Sequence, residues 1–462
     1  MATYGSFPGV RVQTESGGIS GVQIGEEEKL VLFGEADYDS GTNEVSGAAS
    51  AEEVVQLNAR REANDYFGDG SELAEAMKEA LANGANMDYL YGVAVERSTS
   101  TDEPIDATGT LDNVPVEENQ EAVSFDTVAE VEFRYNGAPA TDGGYNTAPE
   151  DTVFLNPLTG EYAVSDGTTS PPTQITYNHL GWESAFGATD VNNIVNEDET
   201  GVYVALSDSD LVSQDLQGQV STLRNDYQLV NALSVAEPNE SEVFEDASIR
   251  AGADARYSTS DYASTANQSV VEEYYYKFAP GRQEDSVATV MGGIGGLFAG
   301  NPINDPIYNE ALSGYQGLEQ SFSKSDADNM RGEDIIPVRD AGTIRVKGNR
   351  STAYSESDAV GADFWVRRIT DRVILIGKLV GDNIIGRIND EETRSLAERQ
   401  ISAQMRSLVR DRLIRSNAGN EVNWTVEVYE DSTNDDEVNI DITFTPYGIV
   451  KRVDETITIN TN

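Results

Sequence analysis

A mixed α/β fold spread over several domains follows from three features of the sequence. Apolar residues switch along the chain between the helical interval and the two-residue interval of strands. The first hundred residues run strand, helix, strand. The last third sets one long helical pattern before strictly alternating strands. A length of 462 residues leaves room for about three domains at roughly 150 residues each. With 38% hydrophobic residues, 21 Tyr, 13 Phe and 3 Trp, the chain can fill real cores, unlike an acidic disordered polymer.

Val10 and Val12 alternate after Pro8 and predict a short extended arm. Leu30 to Phe33 is a buried strand. Ser50 with Glu53 has the spacing of a capping box, which predicts a helix through Val54, Val55 and Leu57. A second helix follows Ser71, with Leu73, Met77 and Leu81 on one face and Gly84 as its stop. Tyr89 to Val95 returns as a strand, and this order favours a parallel pair with a right-handed crossover.

Residues 101–121 are polar and contain proline, as a linker would. Strands are predicted at 128–135, 153–155 and 162–164, the last two joined by a turn at 158–161, with a loop over 165–173. Residues 101–185 thus form a β-rich insertion. A second α/β unit follows, with strand 202–206, helix 209–225 and strand 229–235. A strand at 270–278 precedes a helix carrying Val287, Val290, Met291, Ile294, Leu297 and Phe298. Later come strands at 343–346, 364–366 and 373–375, the last two flanking a basic turn. Asn389 with Glu392 can cap a helix to about Ser416, whose apolar face is Ala397, Ile401, Met405, Leu408 and Val409. Three alternating strands close the chain, around Val422 to Val428, Val438 to Phe444 and Val453 to Ile459.

The formal net charge is −50, from 81 acidic and 31 basic residues. Of the bases, 24 are Arg and 7 are Lys, and the acids occupy nearly every segment. This pattern points to a protein working in molar salt, where the Debye length falls to about 3 Å and self-repulsion is screened. Residues 1–330 carry −45 and residues 331–462 only −5. A nearly neutral end in such a chain is expected to be shielded by neighbouring subunits or a partner.

The composition removes whole classes of chemistry. Without cysteine there is no disulfide, thiolate metal site or thiol nucleophile. One histidine, His179, cannot build a multi-histidine metal centre. It has no Gly-x-Ser-x-Gly partner either, so it is expected to be structural. Gly292 to Gly296 lacks the Gly-Lys-Ser/Thr ending of a phosphate loop. Gly292, Gly296 and Gly300 instead recur every four residues opposite the apolar face, as close helix packing requires. Asp37 to Gly41 is a poor calcium loop, with Ala48 where the twelfth-position Glu belongs. The long helix holds Arg394, Arg399, Arg406, Arg410, Arg412 and Arg415, interleaved with Glu392, Glu398 and Asp411 and without aromatic platforms. That favours intersubunit pairing over nucleic acid. No apolar run reaches membrane-spanning length, and the first ten residues lack the order of a secretory signal. No catalytic residue, cofactor or metal is expected, and neither nucleic acid nor membrane as a partner.

Several short segments, in order, resemble the contractile tail sheath proteins of tailed viruses and related injection machines. Pro8 to Gln13 is similar to the family's PGVYV-type arm. Tyr66-Phe67-Gly68, the helix 73–82, the turn Asn83-Gly84-Ala85 and the strand 89–95 resemble its helix, NGG turn and YVVRV strand. Gly342 to Ser351 resembles its G-x-R-V-W-G-A-R-T segment, with Lys347 in place of the Trp. Trp365-Val366-Arg367-Arg368 resembles YVNVRR, and Asp441 to Pro446 with Thr456 to Ile459 resembles its proline turn and terminal arm. These pieces cover about half the chain, and residues 101–330 match only loosely.

The resemblance implies a non-enzymatic subunit that stacks as hexameric rings around a tail tube and contracts from a metastable extended state. Its partners would be copies of itself, the tube protein, and baseplate and tail terminator proteins. Its place would be the tail of a virus of a halophilic archaeon, assembled in the host cytoplasm, or a related injection system. Terminal strands carrying Val10, Val12, Val453, Ile457 and Ile459 would add to neighbouring sheets. Arg399, Arg406 and Arg410 would lie at a subunit or tube contact. The implied divisions are an arm at 1–20, core α/β at 21–100, the β-rich insertion at 101–185, a second α/β domain at 186–330, a C-terminal core at 331–447 and an arm at 448–462. The α/β core would be formed by both chain ends. A halophilic surface-layer or adhesion protein is the alternative of similar composition.

Overall fold

The computed structural model describes residues 28–117, 122–127, 129–133, 152–164, 170–207, 209–226, 228–236, 274–279, 287–315, 327–328, 330–331, 334–340, 342–352, 363–418, 421–434 and 436–448. The arm residues Val10, Val12, Val453, Ile457 and Ile459 lie outside them. The fold is mixed α/β, with several sheets, and divides into two units: described residues of 27–301 and 309–357 form one, and those of 302–308 and 358–462 the other.

The larger unit opens with β1 (Lys29–Gly34), where Leu30 to Phe33 are all buried, as a strand covered on both faces must be. After it come β2 (Val54–Gln56), α1 (Glu62–Phe67), α2 (Glu72–Ala82) and β3 (Leu90–Ala94). The helix expected through Val54 and Val55 is instead β2. The Ser50 N–H does donate to the Glu53 carboxylate at 2.9 Å, the return half of a capping box. Glu52, however, takes φ 62° and turns the chain into an extended path that suits two β-branched valines. The α2 assignment stands. Ser71 Oγ accepts from the Ala74 N–H, Leu73 and Met77 are buried, and the chain leaves through Gly84 at φ 109°.

Next come β4 (Glu96–Pro104), β5 (Thr108–Thr110), β6 (Val123–Phe125), β7 (Glu130–Phe133), β8 (Thr152–Leu155), β9 (Glu161–Val164) and β10 (Gln174–Gly181). They form two small sheets, β4-β10-β6 and β5-β9-β8-β7. Val123, Val153, Leu155, Tyr162, Ile175 and Tyr177 belong to their shared core. The expected linker at 101–121 therefore carries strand. β4 has few apolar residues of its own and is held by cross-strand pairing to β10.

The chain continues through α3 (Trp182–Gly187), α4 (Thr189–Asn192), β11 (Thr200–Ala205), α5 (Asp210–Asn225), β12 (Leu229–Val235), β13 (Tyr275–Ala279), α6 (Val287–Gly300), β14 (Ile335–Asp340) and β15 (Ile344–Val346). Residues 270–273 of the expected strand at 270–278 lie outside the described residues. One eight-stranded sheet has the order β15-β14-β13-β12-β11-β1-β3-β2. Its six central strands run parallel, and the edge strands β2 and β15 are antiparallel to their neighbours.

The glycine series of α6 does what its spacing predicts. A Cβ on Gly292, Gly296 or Gly300 would stand 2.2, 2.3 or 2.1 Å from the carbonyl oxygens of Ala76, Ala80 and Gly84. α6 therefore meets α2 backbone to backbone. Its Met291, Ile294 and Phe298 are buried, and Gly295 faces Leu30 and Val204 of the sheet.

The smaller unit holds α7 (Phe364–Ile384), α8 (Glu391–Arg410), β16 (Trp424–Glu430) and β17 (Val438–Phe444). The two strands expected around a basic turn are one helix, α7. Asp363 caps it by accepting from the Trp365 N–H at 3.0 Å. Ile369, Val373, Ile376 and Val380 recur at helical spacing. The basic residues of the expected turn are buried: Arg367 pairs with Asp371 four residues on at 2.7 Å, and Arg368 lies over the Phe364 ring. For α8 the cap is Asp390, accepting from the Thr393 N–H at 2.8 Å, not Asn389. The helix stops at Arg410, short of Ser416, because Arg412 takes φ 62°. Its predicted apolar face is correct: Ala397, Ile401, Met405 and Leu408 are buried and Val409 packs beside them.

Candidate assembly surfaces

The isolated features that could suggest catalysis dissolve into structure. His179 sits on β10, with its ring 6.1 Å from that of Tyr177. Burial pushes its pKa down, and Glu96 and Glu103 oppose that. The glycines at 292–296 lie inside α6, where Gly292 and Gly296 abut α2, Gly293 abuts Tyr315 and Asn83, and Gly295 abuts the sheet. Asp39 turns back on its own loop, accepting from the N–H groups of Gly41 and Thr42, and these bonds lower its pKa. Among the described residues no group of three or more acidic or histidine side chains is placed to hold a metal.

The smaller unit presents surfaces of a different kind. β16 and β17 pair antiparallel from Trp424↔Phe444 to Glu430↔Val438, as a two-stranded sheet. Period-two alternation gives it an apolar face, where Trp424, Val426, Val428, Ile440, Ile442 and Phe444 join the core under α7 and α8. The same alternation gives it a polar face with Thr425 opposite Thr443 and Glu427 opposite Asp441. The two threonine hydroxyls are 2.6 Å apart, and the Tyr429 hydroxyl donates to Asp441 at 2.7 Å. That bond, more than any other influence, raises the Tyr429 pKa. At the far end Asp431 accepts from Thr433 and Asn439, and these bonds hold its carboxyl down at about 2.

Away from the Trp424 and Pro446 end, where Asn417 bonds the Trp424 backbone and Ile414 bridges to Pro446, two open edges flank this pair among the described residues, since each strand has a single strand partner. A two-stranded sheet is marginal by itself, and an open edge is a template for another chain's strand. Around it Val422 is 70% exposed, with Tyr429 at 43% and Tyr447 at 42%. The Trp365 indole N–H donates to the Tyr447 carbonyl at 3.0 Å, fixing the chain where it heads toward the C-terminal segment.

α8 carries the three arginines singled out from the sequence. Arg399, Arg406 and Arg410 are exposed and lie opposite the Ala397–Ile401–Met405–Leu408 stripe, at helical spacing. Arg399 donates to the Ser395 carbonyl at 3.1 Å, and Arg410 donates to Ser407 Oγ at 2.7 Å. By contrast, Arg394 turns to the sheet and pairs with Glu430 at 3.2 Å. The sequence reasoning did not single out the Glu427–Asp441 pair or the Asp431 turn. The signal was present, because both acids alternate with the apolar residues that define the strands.

No family model matches the chain, and no curated protein matches its sequence. Solved structures do match it in fold. It is similar to a chain of the anti-feeding prophage baseplate, with TM-score 0.56 and 11% identity over 99% of this chain and 100% of that one. It is similar to the contracted helical sheath of the same system, with TM-score 0.54 and 12% identity over 98% and 99% of the two chains. A third is the contracted sheath complex of PVC, an extracellular contractile injection system, with TM-score 0.55 and 12% identity over 99% and 98%. At such identities the likeness is one of fold, and end to end the fold of this chain is that of contractile-sheath proteins.

Proposed function

We propose that the protein is the structural subunit of a contractile sheath. It stacks as hexameric rings around a tail tube, is linked by exchange of terminal strands, and drives the tube through a host envelope by contracting from a metastable extended state. No catalytic step is involved. The partners are other copies, the tube protein, and baseplate and terminator proteins, and the setting is a tail that works in molar salt.

The observation that carries this reading is the correspondence of nearly the whole chain with sheath chains of two contractile systems. The open two-stranded sheet supports the linkage, because among the described residues it has no further strand beside it, and a second and a third copy can supply one. The exposed Arg399, Arg406 and Arg410 support a contact surface on α8. Electron microscopy of the purified protein in high salt tests the proposal. Striated tubes are expected, whereas flat lattices would favour a surface-layer protein instead.

A further inference from the structure

The larger unit contains a cluster of cations that make no ion pair among the described residues. β14 and β15 pair so that Arg339 stands directly opposite Arg345. Like charges in that position repel across the strands. Lys347 follows two residues after Arg345 and so projects from the same face, and the Lys347 N–H bonds to the Pro337 carbonyl at 2.9 Å to continue the pairing. None of the three makes an ion pair among the described residues, although the chain holds 81 acidic residues against 31 basic ones. Arg339 Nε is buried without a hydrogen-bond partner.

An uncharged residue aims Arg345 and Lys347. Asn309 takes φ 69°, a left-handed conformation that asparagine tolerates. Its carbonyl oxygen accepts from Arg345 at 2.6 Å, and its side-chain oxygen accepts from the Lys347 ammonium. One uncharged residue therefore orients both. Burial, then Arg345, Arg339 and Arg331, push the Lys347 pKa down, so the cations sense one another. The nearby Arg331 and Arg350 are paired within the chain, to Asp328 and Asp334.

We propose that Arg339, Arg345 and Lys347 form a docking site for carboxylates of a second copy of this chain. Two molecules of formal charge −50 repel wherever acidic faces meet. Close approach is favoured where one copy offers unpaired, preoriented cations and the other offers its abundant acids. Partial burial also keeps this contact effective at salt concentrations that screen exposed pairs. The inference rests on the sheath reading for its setting and adds a named contact to it.

The test mixes isotopically labelled and unlabelled full-length protein in high salt. A zero-length carbodiimide then couples carboxylates to amines, and mass spectrometry finds the linked peptides. Links from Lys347 to an acidic residue of the other isotopic copy are expected. The Arg339→Gln/Arg345→Gln/Lys347→Gln protein should need at least tenfold more protein to assemble, with an unchanged thermal unfolding curve, while Arg345→Lys assembles normally. Tubes that lack Lys347 links and survive the triple substitution refute this contact and leave the sheath reading standing. Lys347 links without tubes refute the sheath reading and leave the contact. Absence of both refutes both. Inorganic phosphate binding to the wild type but not the triple variant, without links, would make the cluster a small-anion site and overturn the proposal.

Discussion

The α2–α6 contact and the β16–β17 sheet are opposite solutions to the same packing problem. At the first, three glycines on α6 let two backbones touch, and no side chain could be added to any of them without displacing a carbonyl of α2 or the turn after it. The chain completes that region by itself. At the second, two strands are buried on one face and left without outer neighbours among the described residues. The contrast separates a contact the chain closes by itself from a strand pair with open edges among the described residues. On the proposed sheath reading, strands added at such an edge would link neighbouring copies.

Substitutions can break or sharpen that contrast. The largest effect is expected inside the smaller unit, whose own helices must stay packed for the edge to exist. Asp371→Ala takes the Asp371 carboxylate away from the buried Arg367, and removing one partner of a buried pair costs about 3–5 kcal/mol. Chemical denaturation should show that loss as a lower midpoint with an unchanged slope.

Next comes Gly296→Ala. In an open helix this change is favourable, but here the new Cβ would stand 2.3 Å from the Ala80 oxygen, so overpacking should cost about 1–3 kcal/mol. Gly218→Ala is the control in α5, where a Cβ meets nothing within 4 Å. It should stabilise by up to about 1 kcal/mol. Equal effects at the two glycines, read by the same denaturation, would mean that α2 and α6 do not touch through their backbones.

The smallest effect concerns pH. Asp431 has its pKa depressed to about 2 by hydrogen bonds in the β16–β17 turn. A carboxyl depressed below its unfolded value of about 3.9 stabilises the fold above that pH, and the contribution fades as pH falls through the folded value. Acid unfolding should therefore lose one carboxylate's contribution between about pH 4 and pH 2, and Asp431→Asn should remove that part of the pH dependence. Unchanged acid titration in the variant would place the stabilising bonds elsewhere.

What could be read in advance follows from how local each signal is. The buried run at 30–33, the Ser71 cap and the Gly292–Gly296–Gly300 spacing depend on residues within a turn or two, and each matches the structure. The Ser50–Glu53 box formed its hydrogen bond and still failed to start a helix, because a left-handed Glu52 redirected the chain. The apolar triplets at 364–366 and 373–375 read as two strands, and the structure joins them in one helix, α7. Its Arg367 and Arg368 read as a turn, and the structure buries them against partners that include Asp371 and Phe364. The strand at 96–104 owes its form to β10, far along the chain, and little in its own composition marks it.

The candidate surfaces divide in the same way. Arg399, Arg406 and Arg410 share an exposed stripe, as helical spacing on α8 requires. The Arg339–Arg345 opposition and its tether on Asn309 arise from strand register and a distant loop, and no local pattern contains them. Segments resembling the sheath family cover about half the chain, whereas the fold correspondence covers 98–99% of it. Fold can be shared where motifs are not, since packing constrains polarity and volume more than identity.

The central claim, a self-contained body joined to other copies through open strands, is tested most directly by deleting residues 453–462. Electron microscopy and denaturation of the full-length and truncated proteins would be compared in the same high-salt buffer. The account predicts striated tubes from the full chain, none from the truncated chain, and matching unfolding midpoints. Normal tubes from the truncated protein would contradict it.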